Sequence, residues 1–392
     1  MTSAIIITFC FLLLIAYVFD ISSSKTKIPS VILLLLLGWG VKQMSVFVDI
    51  SLPDLSPFLP VLGTVGLILI VLEGSLELEL NKSKLGIIKK SFFGALFPML
   101  ALAFLLAFLF SYFGGYDIKA SLTNAIPFCV ISSAIAIPSV KNLSAYNKEF
   151  VIYESSLSDI VGVVLFNFFA FNEIINWNSF GSFFLQLLII IIVSFLCTIA
   201  LSYLLNKIEH HVKFVPIILL IILIYAVSKV YHLPGLVFIL LFGLFIGNLD
   251  ELKHYKWIEK FKPDELNKEV LKFKELIAEF AFLVRALFFL VFGFLMETSE
   301  ILSTQTLLWA ISISILIYLF RAIQLKLSNL PLKPLLFIAP RGLITILLFL
   351  SILPINSIGL VNKSLIIQVI IITALVMMFG LMTNKKQSAS KY

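Results

Sequence analysis

Charge, cysteine, histidine and arginine are what this sequence has least of, and each shortage removes a class of function. Its three cysteines, Cys10, Cys129 and Cys197, form no CxxC and no Cys/His spacing, so neither a disulfide framework nor a zinc site follows. Each falls inside an apolar run and reads as a packing residue. The four histidines, His210, His211, His232 and His254, lie in or beside connections and read as solvated; the adjacent pair His210 and His211 is the one candidate for sensing pH near neutrality. Charged residues make up 13% of the chain and hydrophobic ones 60%, against about 25% charged in an ordinary soluble domain. Mean hydropathy is +1.10. No soluble domain of useful size fits these values; an integral membrane protein does.

Apolar windows able to cross roughly 30 Å of hydrocarbon fall near 2–19, 28–46, 60–80, 91–113, 120–140, 151–170, 180–205, 214–231, 233–248, 276–296, 305–325, 334–352 and 364–383. All thirteen are helical by length, because lipid leaves no water to satisfy backbone groups and strands this long fit no barrel. The first has no basic segment before it and no small-residue cleavage site after it, so it reads as a retained span.

A net charge of +7 would suit nucleic acid, but its distribution points to a bilayer. The connections after odd-numbered spans and the tail hold 22 lysines, those after even-numbered spans only Lys42, Lys119, Lys229 and Lys363. Basic excess marks the cytoplasmic side. The N-terminus is therefore expected outside, the C-terminus in the cytoplasm, and nucleic acid is not a partner. The longest connection, 250–275, alternates charges with aromatics and is expected to lie on the membrane surface as an interfacial helix or as a solvated linker.

The sequence also carries a weak internal repeat. Pro29 leads to Gly38 in span 2 and Pro234 to Gly243 in span 9, at the same interval of nine. Span 3 ends LEGSLE and span 10 ends FGFLME; span 5 holds Pro138 and span 12 holds Pro340. Pairing span n with n + 7, an odd offset, makes the copies enter the membrane in opposite directions. Inverted repeats with matching interrupted spans are the architecture of secondary transporters, here with span 7 as connector.

Ionisable side chains within a span mark function by default, since each costs about 2.5 to 3.5 kcal/mol at the helix centre on insertion scales. Glu73, Glu154, Asp159 and Glu279 qualify. In YESSLSDIVGVVLF (153–166), Ser155 and Asp159 are i, i+4, as are Glu154 and Ser158, so polar pairs cover adjacent faces of the same two turns. Converging oxygens suit a hard cation; zinc or copper would call for His or Cys, which span 6 lacks. A helix cap by Glu154 and Ser155 is the structural alternative. All three arginines, Arg285, Arg321 and Arg341, sit in spans 10 to 12, where a permanently charged planar fork has a use that lysine cannot supply. Arg285, the deepest, is expected to neutralise Glu154, with Glu279 as the alternative; Arg321 is expected to snorkel at a membrane face. Pro138 is expected to break span 5 and free carbonyls around Ser132, Ser133 and Ala134 for an ion. Pro340, Arg341 and Gly342 are expected to break span 12 beside a charge.

These residues resemble the monovalent cation/proton antiporter superfamily, in its sodium/proton exchanger branch. The resemblance spans nearly the whole chain: the Pro-to-Gly interval of span 2, LEGSLEL, ESSLSD, LVRALFF and APRGLIT. It implies an all-α membrane protein of about thirteen spans in two inverted six-helix repeats with discontinuous crossing helices, forming one domain over 1–383 with a cytoplasmic tail at 384–392. It also implies Asp159 as the ion- and proton-binding carboxylate, Ser155 as a ligand and Glu154 as the partner of Arg285. Two positions depart from the pattern. Ser158 stands where the signature has Asn or Asp, and Ile131, Ser132 and Ser133 stand where many relatives have Thr-Asp-Pro.

The function implied is exchange of Na⁺ or another alkali cation for H⁺ by alternating access, with no cofactor and no enzymatic activity. One titrating carboxylate implies an electroneutral cycle; the ion-site hydroxyls would be Ser155, Ser158, Ser132 and Ser133. A homodimer in the inner membrane is expected. Rival readings are a K⁺ efflux or calcium-specific relative, a sodium-coupled organic-anion symporter, and a non-transporting sensor. An intramembrane hydrolase lacks its nucleophile and base.

Overall fold

The computed structural model describes every residue except 1, 27, 50–53, 80, 173–175, 209, 211, 253–262 and 384–392. His211, His254, the central part of the long connection and the tail therefore lie outside the described residues. The chain runs through α1 (Thr2–Thr26), α2 (Ser30–Phe47), α3 (Phe58–Glu77), α4 (Leu85–Gly114), α5 (Ile118–Cys129), α6 (Ser133–Ser139), α7 (Ala145–Phe171) and α8 (Trp177–Lys207). It continues with α9 (Phe214–Val230), α10 (Gly235–Gly247), the single turn α11 (Leu249–Leu252), α12 (Pro263–Phe294), the single turn α13 (Thr298–Ile301), α14 (Thr304–Leu327), α15 (Leu343–Leu350) and α16 (Lys363–Thr383). A 3₁₀ turn, Leu335–Phe337, precedes α15. No strand occurs among the described residues.

Nine helical segments of the described chain are long and apolar enough to cross a membrane, counting α5 and α6 as one. The other four expected spans are the shorter apolar helices α9 and α10, α7, whose polar cluster lowers its hydropathy, and the broken segment around α15. The chain is an all-α multi-pass membrane protein.

One boundary differs from expectation. Residues 263–275 are no separate surface element but the first turns of α12, which runs unbroken to Phe294. Pro263 suits the first helical position, where its missing N–H costs nothing. Leu266, Val270, Phe273 and Ile277 are buried at helical spacing, so this stretch has an apolar face to pack, while Lys268, Lys272 and Glu275 are exposed.

Helix pairing displays the inverted repeat. α2 packs on α12 as α10 packs on α3, α4 on α7 as α14 on α16, and α1 on α2 as α9 on α10. The repeated glycines lie at the closest approaches. Gly38 abuts the backbone of Leu290, Gly293 and Phe294, and Gly243 abuts Ser75, so a Cβ at either would collide. Small residues are what allow membrane helices to pack backbone to backbone. Two bodies result, one built on α2, α3, α10 and α12, the other on α4, α5, α7, α14 and α16. They meet where α3 touches α6, α7 and α15.

Candidate functional site

Both interrupted segments break in the middle of the second body, and the two breaks touch. Ser132 N–H donates to the Pro340 carbonyl at 2.9 Å. Ile131 N–H donates to Ser158 Oγ, also at 2.9 Å. The unwound backbone at 130–132 is thus satisfied from α7 and from the other break, the condition for irregular chain inside a membrane protein. The expected break at Pro138 is not found: Pro138 lies inside α6, and the interruption comes six residues earlier, where outside donors and acceptors replace the helical ladder. Pro340, Arg341 and Gly342 lie in the non-helical stretch between the 3₁₀ turn and α15.

Arg341 is wedged into the crossing. Its Nε donates to the Phe128 carbonyl at 2.5 Å and its Nη1 to that of Ala339 at 2.8 Å, while its backbone N–H donates to Thr373 Oγ1 at 3.1 Å. Phe128 belongs to the last turn of α5, where unsatisfied carbonyls concentrate negative potential. A fixed planar cation is thus held at the closed end of one half-helix. At Gly342 a Cβ would meet Ser132 Oγ at 3.0 Å and the Ile135 side chain, so a larger residue there would have to displace the side chains of the other break.

Glu154, Ser155, Ser156, Ser158 and Asp159 are each no more than 1% exposed. Asp159 Oδ2 accepts from Ser133 Oγ at the first turn of α6. Its Oδ1 has no hydrogen-bond partner among the described residues, and neither has Ser132 Oγ. Ser155 Oγ donates to the Val151 carbonyl at 2.7 Å and keeps its lone pairs. Ser158 Oγ is engaged by Ile131 N–H, which makes it a support of the break. No group of three His, Cys, Asp or Glu side chains converges among the described residues; the oxygens here are hydroxyls, carbonyls and one carboxylate, a donor set for a hard cation.

The expected pairing of Glu154 with Arg285 does not occur. Glu154 Oε1 accepts from Arg321 Nη1, and Arg321 is 4% exposed rather than at a membrane face. Its Nε donates to the Leu335 carbonyl at 3.1 Å and its Nη1 to Gln324 Oε1, also at 3.1 Å. The reason is packing: α14 lies against α4 beside α7, whereas α12, which carries Arg285, packs with α2 and α3 in the other body. The polar pair Arg321 and Gln324, i, i+3 in an apolar helix, was the available signal. Arg285 instead lines a cavity of about 620 Å³ with Tyr17, Asp20, Glu73, Lys141 and Glu279.

The model of the family described as sodium/hydrogen exchanger, transmembrane, matches residues 10–384. The chain belongs to the sodium/hydrogen exchanger family. Its fold is similar to the structure of the sodium proton antiporter MjNhaP1 from Methanocaldococcus jannaschii at pH 8, with TM-score 0.70 and 19% identity over 97% of this chain and 99% of that one. A second structure of MjNhaP1, from an electron-microscopy map, gives 0.69 and 18% over 97% and 95%. Among curated proteins nothing matches. The sodium/hydrogen exchanger assignment thus rests on the family model, and the structures establish the fold.

Proposed function

We propose that this exchanger trades Na⁺ for H⁺ at Asp159, which binds one or the other in turn. The observation that carries the reading is Asp159 Oδ1, a buried carboxylate oxygen without a hydrogen-bond partner among the described residues, beside the touching breaks of two half-helices. Ser155, Ser132 and Ser133 offer hydroxyl oxygens around it, and Glu154, neutralised by Arg321, holds α7 against α14. Because proton and cation compete for one carboxylate, neither can cross without displacing the other. Rocking of one body against the other at the α3 contacts exposes the site to each side in turn. A membrane orientation with the N-terminus outside follows from the lysine distribution, and we place the protein in the cell membrane as a homodimer.

The experiment is acridine-dye dequenching in vesicles, comparing wild type with Asp159→Asn. Na⁺ or Li⁺ should dissipate an imposed pH gradient in wild type and fail in Asp159→Asn; full exchange by the variant would refute the mechanism. Response to K⁺ or Ca²⁺ alone would indicate a potassium-efflux or calcium-specific relative. Substrate-dependent Na⁺ uptake without proton release would indicate a symporter, and silence with every cation a sensor.

A further inference from the structure

The three serines that flank Asp159 on α7 are in different situations. Ser155 Oγ is bonded back to the preceding turn, as are Ser194, Ser202 and Ser314 elsewhere in the bundle. This is the ordinary way for a hydroxyl to be satisfied inside an apolar helix. Ser158 Oγ accepts from the α5–α6 break. Ser156 Oγ does neither: it is buried and has no hydrogen-bond partner among the described residues. A hydroxyl that forgoes the bond its neighbours make, in a site where leaving it unmade is costly, is held ready for something else.

Its position says for what. Ser156 points at α3, where Gly74 leaves just the room it needs; a Cβ on residue 74 would sit 2.9 Å from Ser156 Oγ. The residue before Gly74 is Glu73, which lines the cavity of about 620 Å³ together with Asp20 and Glu279. On the other side, Ser156 is i−3 from Asp159 on α7, a spacing that brings Cβ atoms to roughly 5–6 Å. Three buried oxygens of this region thus lack hydrogen-bond partners among the described residues: Asp159 Oδ1, Ser132 Oγ and Ser156 Oγ. Ser156 is the one that faces the cavity-lining helix.

We propose that Ser156 is a ligand for the transported alkali cation, met between the cavity and Asp159. The inference rests on Asp159 being the ion site. A hard monovalent cation shedding water needs replacement oxygens, and this chain has Ile131, Ser132 and Ser133 in span 5 and Ser158 beside Asp159, with no second carboxylate among them. A hydroxyl supplies an oxygen without adding charge, so it tunes affinity and leaves the charge moved per cycle unchanged. Gly74 belongs to the same device, as the gap that lets Ser156 turn away from its own helix.

The test is the dependence of initial exchange rate on Na⁺ concentration in proteoliposomes for wild type, Ser156→Ala, Ser156→Thr, Gly74→Ala and Asp159→Asn. Loss of a ligand that binds ground state and transition state alike raises KM with little change in maximal rate. Ser156→Ala should raise the KM for Na⁺ roughly five- to tenfold, and Ser156→Thr, which keeps the hydroxyl, should restore it within about twofold. Gly74→Ala crowds the hydroxyl from the other side and should raise KM in the same direction, which tests the idea even if Ser156→Ala fails to fold. A wild-type KM in Ser156→Ala, or equal loss of maximal rate in the Ala and Thr variants, would overturn the proposal. If Asp159→Asn is inactive while Ser156→Ala behaves as wild type, only this inference fails. If Asp159→Asn remains active, the ion-site reading itself fails.

Discussion

Arg321 on α14 reaches Glu154 on α7 through a gap that Gly94 on α4 keeps open. A Cβ at residue 94 would lie 3.1 Å from Glu154 Oε1 and still closer to the Gln324 amide. Three helices of one body are therefore tied at a single buried ion pair, with Phe150 stacked 5.9 Å from the guanidinium carbon. The pair sits five residues before Asp159 and fixes the rotation of α7.

Removing either partner should leave a stranded buried charge, which costs about 3–5 kcal/mol. Arg321→Ala and Glu154→Ala are expected to lower the melting temperature of the detergent-solubilised protein sharply. The double variant Glu154→Gln, Arg321→Met should recover much of the loss, because it removes both charges at once. Arg285→Ala should leave this coupling untouched. Melting curves of the four proteins check the assignment; strong coupling of Glu154 to Arg285 in place of Arg321 would contradict it.

Arg341 makes a second prediction, about shape and not charge alone. Its planar fork bonds the Phe128 and Ala339 carbonyls from two nitrogens, and a lysine ammonium cannot reproduce that geometry. Arg341→Lys is expected to retain the fold but lose at least tenfold in exchange rate, roughly the loss of one charge-assisted hydrogen bond. Arg341→Ala should lose both stability and transport. Equal activity of Arg341→Lys and wild type in vesicles would show that only the charge matters.

The spans, their order and the opposed repeats were legible in the sequence because hydropathy and the Pro-to-Gly interval are local patterns. The polar cluster of α7 was legible for the same reason: carboxylates and hydroxyls are conspicuous against apolar residues. What was not legible depends on which helix lies beside which. Arg285 is the more deeply placed arginine along its own span, yet Arg321 pairs with Glu154 because α14 and not α12 neighbours α7. The break in span 5 was misplaced because proline is the visible breaker, whereas 130–132 unwinds through partners on α7 and the other break, distant in sequence. Ser156 carries no signal of its own in the sequence; it is set apart by Gly74 on the neighbouring helix, a contact distant along the chain.

The turn between α12 and α14 carries a pH-dependent contact. Glu297 accepts from Lys42, and that hydrogen bond, with the lysine charge, holds the carboxyl below the ordinary 4.5. A depressed acid contributes its stability in full above the unfolded value and loses it as pH falls through the folded value. The side chain is 57% exposed, so the effect should be small, about 0.2–1 kcal/mol. The difference in melting temperature between wild type and Glu297→Gln is expected to be constant at neutral pH, to diminish only as pH falls below the ordinary 4.5 and through the lower folded value, and also to shrink in high salt. A difference that grows on acidification would have the wrong sign for this pair.

On the proposal that Asp159 is the exchange site, the charge moved per cycle follows from what surrounds it. Glu154 is already paired with Arg321, Ser133 donates to Asp159 Oδ2, and Ser158 offers a neutral oxygen to Ile131 N–H. A site with one titrating carboxylate carries the same net charge whether it holds one proton or one monovalent cation. Initial exchange rates in proteoliposomes should therefore not change when the membrane potential is set by a potassium gradient with valinomycin. Ser158→Asp changes that arithmetic with little change in shape, since a carboxylate oxygen can accept from Ile131 N–H as the hydroxyl does. It places a second acid beside Asp159, so the number of protons bound no longer has to equal the number of cations. Its rate, if exchange survives, is expected to become sensitive to potential, whereas Ser158→Asn should remain insensitive. A potential-dependent wild type would mean that a second acid joins the cycle, and Glu73 at the cavity would be the first residue to test.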